Sequence, residues 1–185
     1  MTDGPATHDG DGNPVGWNDA VRAWTTAAVR LLEATASTYG SYLTYGQLAE
    51  AVQAETGIAT RSLMQNWIGE ILRAVSDADA VADQPMLSSL IVRADQTIGA
   101  GYGDAVHSRT GVLPEDLELH AAAERLACYR FYGAEVPDGA EPALPPNVAS
   151  ARATAARSAR DAKPRPVCPS CFMQLPLTGI CGTCD

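Results

Sequence analysis

The 185-residue chain contains a single lysine, three histidines and no cysteine before position 128. Each scarcity removes a class of function. A carboxylate-metal nuclease needs clustered acids beside a lysine, and Lys163 stands alone in a linker-like stretch. No glycine-rich phosphate loop ending in Gly-Lys is present, and no Gly-x-Ser-x-Gly elbow. His8, His107 and His120 are far apart. Glu118 and His120 are two residues apart, so they do not share a helical face. We read His120, Glu115, Glu118 and Glu124 as surface residues. No small-molecule site is evident, and no enzymatic constellation emerges.

Long apolar runs are also missing. None approaches the ~18 residues of a membrane span. Met1–Gly16 lacks the basic and apolar regions of a signal peptide and reads as a disordered tail. A cytoplasmic location is expected, where thiols stay reduced. Aromatic residues make up only 6 % of the chain, while hydrophobic residues reach 46 % and alanine is abundant. That balance leans towards helices around a real core.

The net charge is −9, unevenly spread. Residues 1–147 are acidic throughout. Residues 148–166 reverse the sign, with Arg152, Arg157, Arg160, Lys163 and Arg165 against Asp161. An acidic body argues against broad non-specific nucleic-acid binding and leaves room for a local contact.

Hydrophobic spacing predicts a helix over 18–37, capped by Asn18 or Asp19. A second is expected over 44–56, with Thr44 and Gln47 as a capping box, Leu43 and Leu48 as its staple, and Gly57 as its stop. A third is expected over 62–76, with Ser62 and Gln65 as the box. Residues 87–93 have strand character, 94–97 form a turn, and 98–106 read as a returning strand. Residues 114–132 read as a helix stopped by Gly133. Residues 134–146 form an extended linker. Residues 147–163 suit an alanine-rich helix with Arg152, Arg157, Arg160 and Lys163 on one face. The domain plan is therefore a tail (1–16), a core (17–133), a linker with a basic helix (134–166) and a terminal element (167–185).

That terminal element carries four of the five cysteines, as Cys168-Pro-Ser-Cys171 and Cys181-Gly-Thr-Cys184. Two Cys-x-x-Cys pairs nine residues apart can complete one tetrahedral S₄ shell, which suits Zn²⁺. The spacing makes Cys168, Cys171, Cys181 and Cys184 the metal candidates. Four thiolates close the shell, so the ion would be structural. A dithiol redox role would need a βαβ context that is absent. Between the pairs, a hairpin is expected to turn at Pro176–Gly179. Cys128 reads as a small buried side chain. The segment resembles the short zinc ribbons at the ends of many prokaryotic proteins. It departs from them at Phe172 and Asp185, where those ribbons usually carry glycine.

In the core, "TYGQLAEAV", "NWIGEIL" and "LSSLIVRADQTIGAGYG" resemble the DNA-binding domain of alkylguanine DNA alkyltransferases and their non-catalytic relatives, over residues 44–103. The resemblance implies a winged-helix-like fold with a small β-hairpin in a mainly α (α+β) chain. It also implies a helix that faces nucleic acid. Ser88, Ser89, Leu90 and Ile91 stand where the family's reactive Pro-Cys-His-Arg falls, so alkyl transfer is not expected. Asn66 stands in place of the family's intercalating arginine.

Asn66 and Gln65 suit adenine edges, Arg61 and Arg73 a guanine or phosphate, and Arg93 a flanking groove. The same residues suit an ordinary solvated helix face. Arg152, Arg157, Arg160, Lys163 and Arg165 suit phosphates, an acidic protein, or simply a solvated linker. The sequence thus leads to a non-enzymatic, zinc-containing nucleic-acid-binding protein, with DNA as the expected nucleic acid and regulation as an expected role, and with a protein-interaction adaptor using the winged-helix core and zinc ribbon as the alternative.

Overall fold

The computed structural model describes residues 6–162, 167–175 and 179–184. The chain is mainly helical with small sheets. It divides into two compact units, Met1–Val148 and Ala149–Asp185.

The first unit is built round helix α1 (Trp17–Ala36). Its buried stripe is Ala20, Trp24, Ala27, Ala28, Leu32 and Ala36. Four alanines on that stripe let neighbouring helices approach closely, and Trp24 fills the space where they meet. The Trp24 ring lies 4.7 Å from Trp67 and 5.8 Å from Trp17, the latter edge-on. Its Nε1–H donates to the carbonyl of Ile58 at 3.0 Å, so the buried indole keeps a polar partner. Neither Asn18 nor Asp19 caps α1. Gly16 is the N-cap and supplies no side chain.

Helix α2 (Tyr45–Thr56) forms as the local signals dictate. Thr44 and Gln47 close a reciprocal capping box, and Gly57 ends the helix at φ 67°. A left-handed residue there is nearly free for glycine and costly for others. The following stretch departs from expectation. Ser62 and Gln65 make no capping box. Met64–Asn66 form a 3₁₀ turn, and helix α3 (Ile68–Val81) starts only after Trp67. Trp67 is 1 % exposed and sits at φ −135°. Burying its ring against Trp24 outweighs the local cap and breaks the helix there.

The expected disordered tail is also corrected over its described residues, 6–16. Strands β1 (Thr7–His8) and β2 (Pro14–Val15) pair antiparallel. Strand β3 (Leu43–Thr44) precedes α2, and β4 (Ala59–Thr60) adds to the far side of β1. The turn between β1 and β2 is tied by Asp9, whose carboxylate accepts the amides of Asp11 and Asn13 at 3.0 and 2.8 Å. The polar, glycine-rich composition that read as unstructured is thus, over residues 9–13, turn chemistry.

Residues 86–98 form no continuous strand, and the expected hairpin is reduced to the turn at 94–97 and a single bridge. Leu87–Leu90 are a buried 3₁₀ turn, and β5 (Ile91–Val92) pairs in parallel with β3. A tight turn closes from Arg93 N–H to the Thr97 carbonyl at 2.8 Å, with one antiparallel bridge, Val92 to Ile98. The expected returning strand is instead helix α4 (Ala100–Thr110). Its buried residues Tyr102 and Val106 follow Ile98 at four-residue spacing, a helical period masked by three glycines. Gly99 is required where it stands, because a Cβ there would fall 1.9 Å from the Tyr45 hydroxyl oxygen.

Helix α5 (Leu117–Phe131) is capped by Asp116, which accepts the amides of Glu118 and Leu119. Helix α6 (Pro146–Asp161) begins at the end of the first unit and continues into the second. Residues 134–146 are not a free linker. Ala134 and Val136 pack on the core, Arg130 donates to the Ala140 carbonyl, and Asn147 N–H donates to Gln96.

Buried acids tie the irregular segment 86–98 to the helices. Asp79 accepts Leu87 N–H at 2.9 Å, Glu124 accepts Met86 N–H at 2.9 Å, and Glu118 accepts Ile98 N–H at 2.7 Å. His120 Nδ1 lies 2.9 Å from the Tyr102 hydroxyl. Glu118, His120 and Glu124 are therefore half-buried fasteners rather than surface residues.

Asp79 is 3 % exposed, and burial pushes its carboxyl up to about 6, with Glu33 and Glu124 adding to the rise. The native state thus holds the Asp79 proton more tightly than the unfolded chain does. Its contribution is greatest below pH 4 and is lost as pH rises through about 6. Asp79→Asn, whose amide oxygen can still accept Leu87 N–H, should flatten this part of the stability profile. The check is the denaturant midpoint of both proteins from pH 4 to 8. Their difference should change by on the order of 2 kcal/mol in favour of Asn towards pH 8.

Candidate metal centre and nucleic-acid interface

The second unit is organised by its cysteines. The Sγ atoms of Cys168, Cys171, Cys181 and Cys184 all lie within 4.8 Å of one another, and Cys171 and Cys181 are 3.5 Å apart. A tetrahedral ion with ~2.3 Å bonds to sulfur requires sulfurs about 3.8 Å apart. The four thiols thus form a cage that can hold one metal ion, and no disulfide links them.

Local backbone geometry explains the cage. A bridge between Val167 and Gln174, the Cys168 N–H bond to the Met173 carbonyl (2.8 Å) and the Phe172 N–H bond to the Cys168 carbonyl (2.9 Å) fold the first pair into a knuckle. Its amides point at sulfur. Cys171 and Ser170 N–H groups hold the Cys168 thiol well below its usual range. Met173 N–H does the same for Cys171, but the crowding thiols of Cys184 and Cys181 push Cys171 up instead. Backbone N–H groups aimed at sulfur favour the thiolate form that a metal ion requires. The turn expected at Pro176–Gly179 lies largely outside the described residues.

The knuckle also explains one departure from the ribbon pattern. Phe172 stands at φ 56° and is 78 % exposed. The turn needs a left-handed residue directly after the second cysteine, which is why glycine suits the position. Phenylalanine there costs about 1–2 kcal/mol of backbone strain.

The sequence-predicted nucleic-acid residues fall in two places. Arg61, Gln65 and Asn66 are exposed on the approach to α3, and Arg73 is exposed on α3 itself. Arg93 is exposed in the turn after β5. Gly69 lies between Asn66 and Arg73, and a Cβ there would meet nothing within 4 Å. Glu70, on the neighbouring side, is half-buried and accepts the Trp17 Nε1–H at 3.3 Å. On α6, Arg157 and Arg160 are exposed and border a shallow hollow with Ala153 and Ala156, while Arg152 is half-buried. Lys163 and Arg165 lie outside the described residues.

Cys128 is fully buried, 3.9 Å from the Ser89 hydroxyl, and burial pushes its thiol up to about 12. Both Ser88 and Ser89 are buried as well, with Ser88 bonded to Ser76 at 2.9 Å. Neither hydroxyl faces solvent as a nucleophile must. No helix among the described residues is long and apolar enough to cross a membrane.

No family model matches this chain, and neither does any curated protein or solved structure.

Two substitutions test the cage. Phe172→Gly should relieve the left-handed strain and raise metal affinity about fivefold, read by competition with a chromophoric chelator. Cys184→Ser should cost the bound metal. It should leave the helical far-UV signal and melting of the first unit unchanged, because that unit has its own core.

Proposed function

We propose that this chain is a non-enzymatic, zinc-containing DNA-binding protein. The reading assigns a winged-helix-like role to the first unit and a structural ribbon to the second. Zinc is the ion we assign, because an all-thiolate tetrahedral shell favours it over harder cations. The four-sulfur shell leaves no open position, so the ion serves the ribbon's fold and not a reaction.

The observation that carries the DNA reading is the face around α3. Gly69 and Arg73 are exposed one turn apart on α3, and Arg61, Gln65 and Asn66 are exposed on the segment that leads into it. Gly69 in a helix costs about 1 kcal/mol relative to alanine, and nothing inside the fold uses its missing side chain. A glycine that the fold does not need allows a partner's surface to approach the helix backbone. Asparagine, glutamine and arginine are the side chains that read base edges in a major groove. Glu70 is drawn aside by Trp17, which reduces its opposition to phosphate. Arg157 and Arg160 on α6 add a second, sequence-independent contact.

A second reading is favoured by one observation. Val167, Phe172, Met173 and Ile180 are all more than half exposed on a very small unit. Apolar side chains displayed this way suit a protein partner, so an adaptor role for the ribbon stands as the alternative.

Zinc-loaded protein should bind duplex DNA with a log-affinity that falls linearly as log salt rises, at a slope corresponding to several displaced counterions. Absence of binding at low salt would sink the DNA reading. Gly69→Ala gives a sharper criterion. It should raise the melting midpoint slightly while weakening DNA binding, a combination that a merely solvated face does not produce. Arg73→Ala should weaken binding and reduce the salt slope.

A further inference from the structure

The first unit contains a cavity of about 220 Å³ between the α1–α2 connection, helix α5 and the segment 141–146. Its walls include Tyr39, Tyr42, Leu126, Tyr129, Glu141 and Arg125. These residues are distant in sequence, and none of them stood out there.

Arg125 is the unusual member. It is only 4 % exposed. Its Nε–H donates to the Ala121 carbonyl of its own helix at 3.2 Å, but Nη2 is buried with no hydrogen-bond partner. No salt bridge among the described residues involves it. The acid that acts on it electrostatically is Glu118, whose Oε1 accepts from Ile98 N–H and whose Oε2 is buried without a hydrogen-bond partner. Burial holds the guanidinium below its ordinary value. A buried cation without a hydrogen-bonded counter-ion is destabilising. A site of this kind gains when an anion enters.

The remaining walls narrow the choice of anion. Tyr39 and Tyr129 stand edge-to-face with centroids 5.5 Å apart, and the Tyr129 hydroxyl is committed to the Ser41 carbonyl at 2.7 Å. The tyrosines therefore offer ring surface more than free donors. One guanidinium balances one negative charge. Exposed Glu141 in the wall and the acidic body disfavour a dianion such as phosphate. The volume equals about seven waters' share of liquid, below the ~300 Å³ at which drug-sized sites begin.

We propose that this cavity is a binding site for a small planar monocarboxylate, its carboxylate paired with Arg125 and its ring held among Tyr39, Tyr42 and Tyr129. The pairing is a charge-assisted hydrogen bond from the guanidinium to the carboxylate. The site lies wholly within the first unit and does not depend on the DNA reading.

Benzoate is the probe, added to the full-length zinc-loaded protein, with benzamide as its neutral counterpart and inorganic phosphate as a second anion. Benzoate should raise the melting midpoint in a saturable way. Benzamide and phosphate should have much smaller effects. Arg125→Met keeps the apolar stem and removes the buried cation, so it should fold and bind benzoate at least tenfold more weakly. Ala143→Trp changes an exposed residue of the cavity wall and should obstruct the site to a similar degree. The proposal is overturned if wild-type protein shows no saturable benzoate binding up to about 10 mM, a limit near 2.7 kcal/mol of affinity. It is equally overturned if benzamide binds as well as benzoate, or if Arg125→Met binds undiminished. Should Arg125→Met fail to fold, unchanged binding by Ala143→Trp decides against it.

Discussion

The first unit depends on how one irregular segment is kept inside it. Met86–Ile98 runs between helices with most of its residues buried, yet it forms only two residues of regular strand. Buried amides need acceptors, and an unpaired one costs about as much as a lost hydrogen bond. Here the acceptors are carboxylates. Asp79 from α3 takes Leu87, Glu124 from α5 takes Met86, and Glu118 from α5 takes Ile98. Helices α3 and α5 are thereby fixed to a common backbone. β3 lines up alongside β5, and α2 follows directly from β3.

This constraint changes the meaning of the acidic composition. Part of the negative charge is structural and points inward. Asp79 shows its cost, being buried near Glu33 and Glu124 with its carboxyl pushed upward. The acids that hold the segment are therefore not a field directed at solvent. The surface round α3 presents Arg61, Asn66 and Arg73 to solvent. The same packing leaves Arg125 enclosed on α5 beside three tyrosines, where it has a hydrogen bond to its own helix and an unpaired Nη2.

The second unit follows another logic. It has few buried apolar side chains, and its order comes from four sulfurs and the knuckle that gathers them. Phe172 illustrates the compromise. Its backbone adopts the left-handed turn that the cage requires, although glycine would do so without strain. Its ring is left in solvent, together with Met173 and Ile180.

Local chemistry was legible in the sequence at several places where the deciding interaction lay within a few residues, although the Asp9 turn was not among them. The capping box at Thr44 and Gln47, the stop at Gly57 and the cysteine spacing are all short-range, and all are found in the structure. Long-range interactions decided the rest. Trp67 packs on Trp24, forty-three positions away, and so cancels the predicted helix start at Ser62. Glycines at 99, 101 and 103 looked like a loosened strand. Burial of Tyr102 and Val106 makes the stretch a helix, because packing energy exceeds the intrinsic cost of glycine. Glu118, Glu124 and His120 looked like solvated residues because their partners, Ile98, Met86 and Tyr102, are about twenty to forty positions away. The sequence by itself determined the sulfur cage and the strongest helix signals, since these are set by spacing along the chain. Only the tertiary structure decided which acids hold backbone, which glycine is left open on α3, and that an arginine is enclosed among tyrosines. Each of those depends on residues that folding alone brings together.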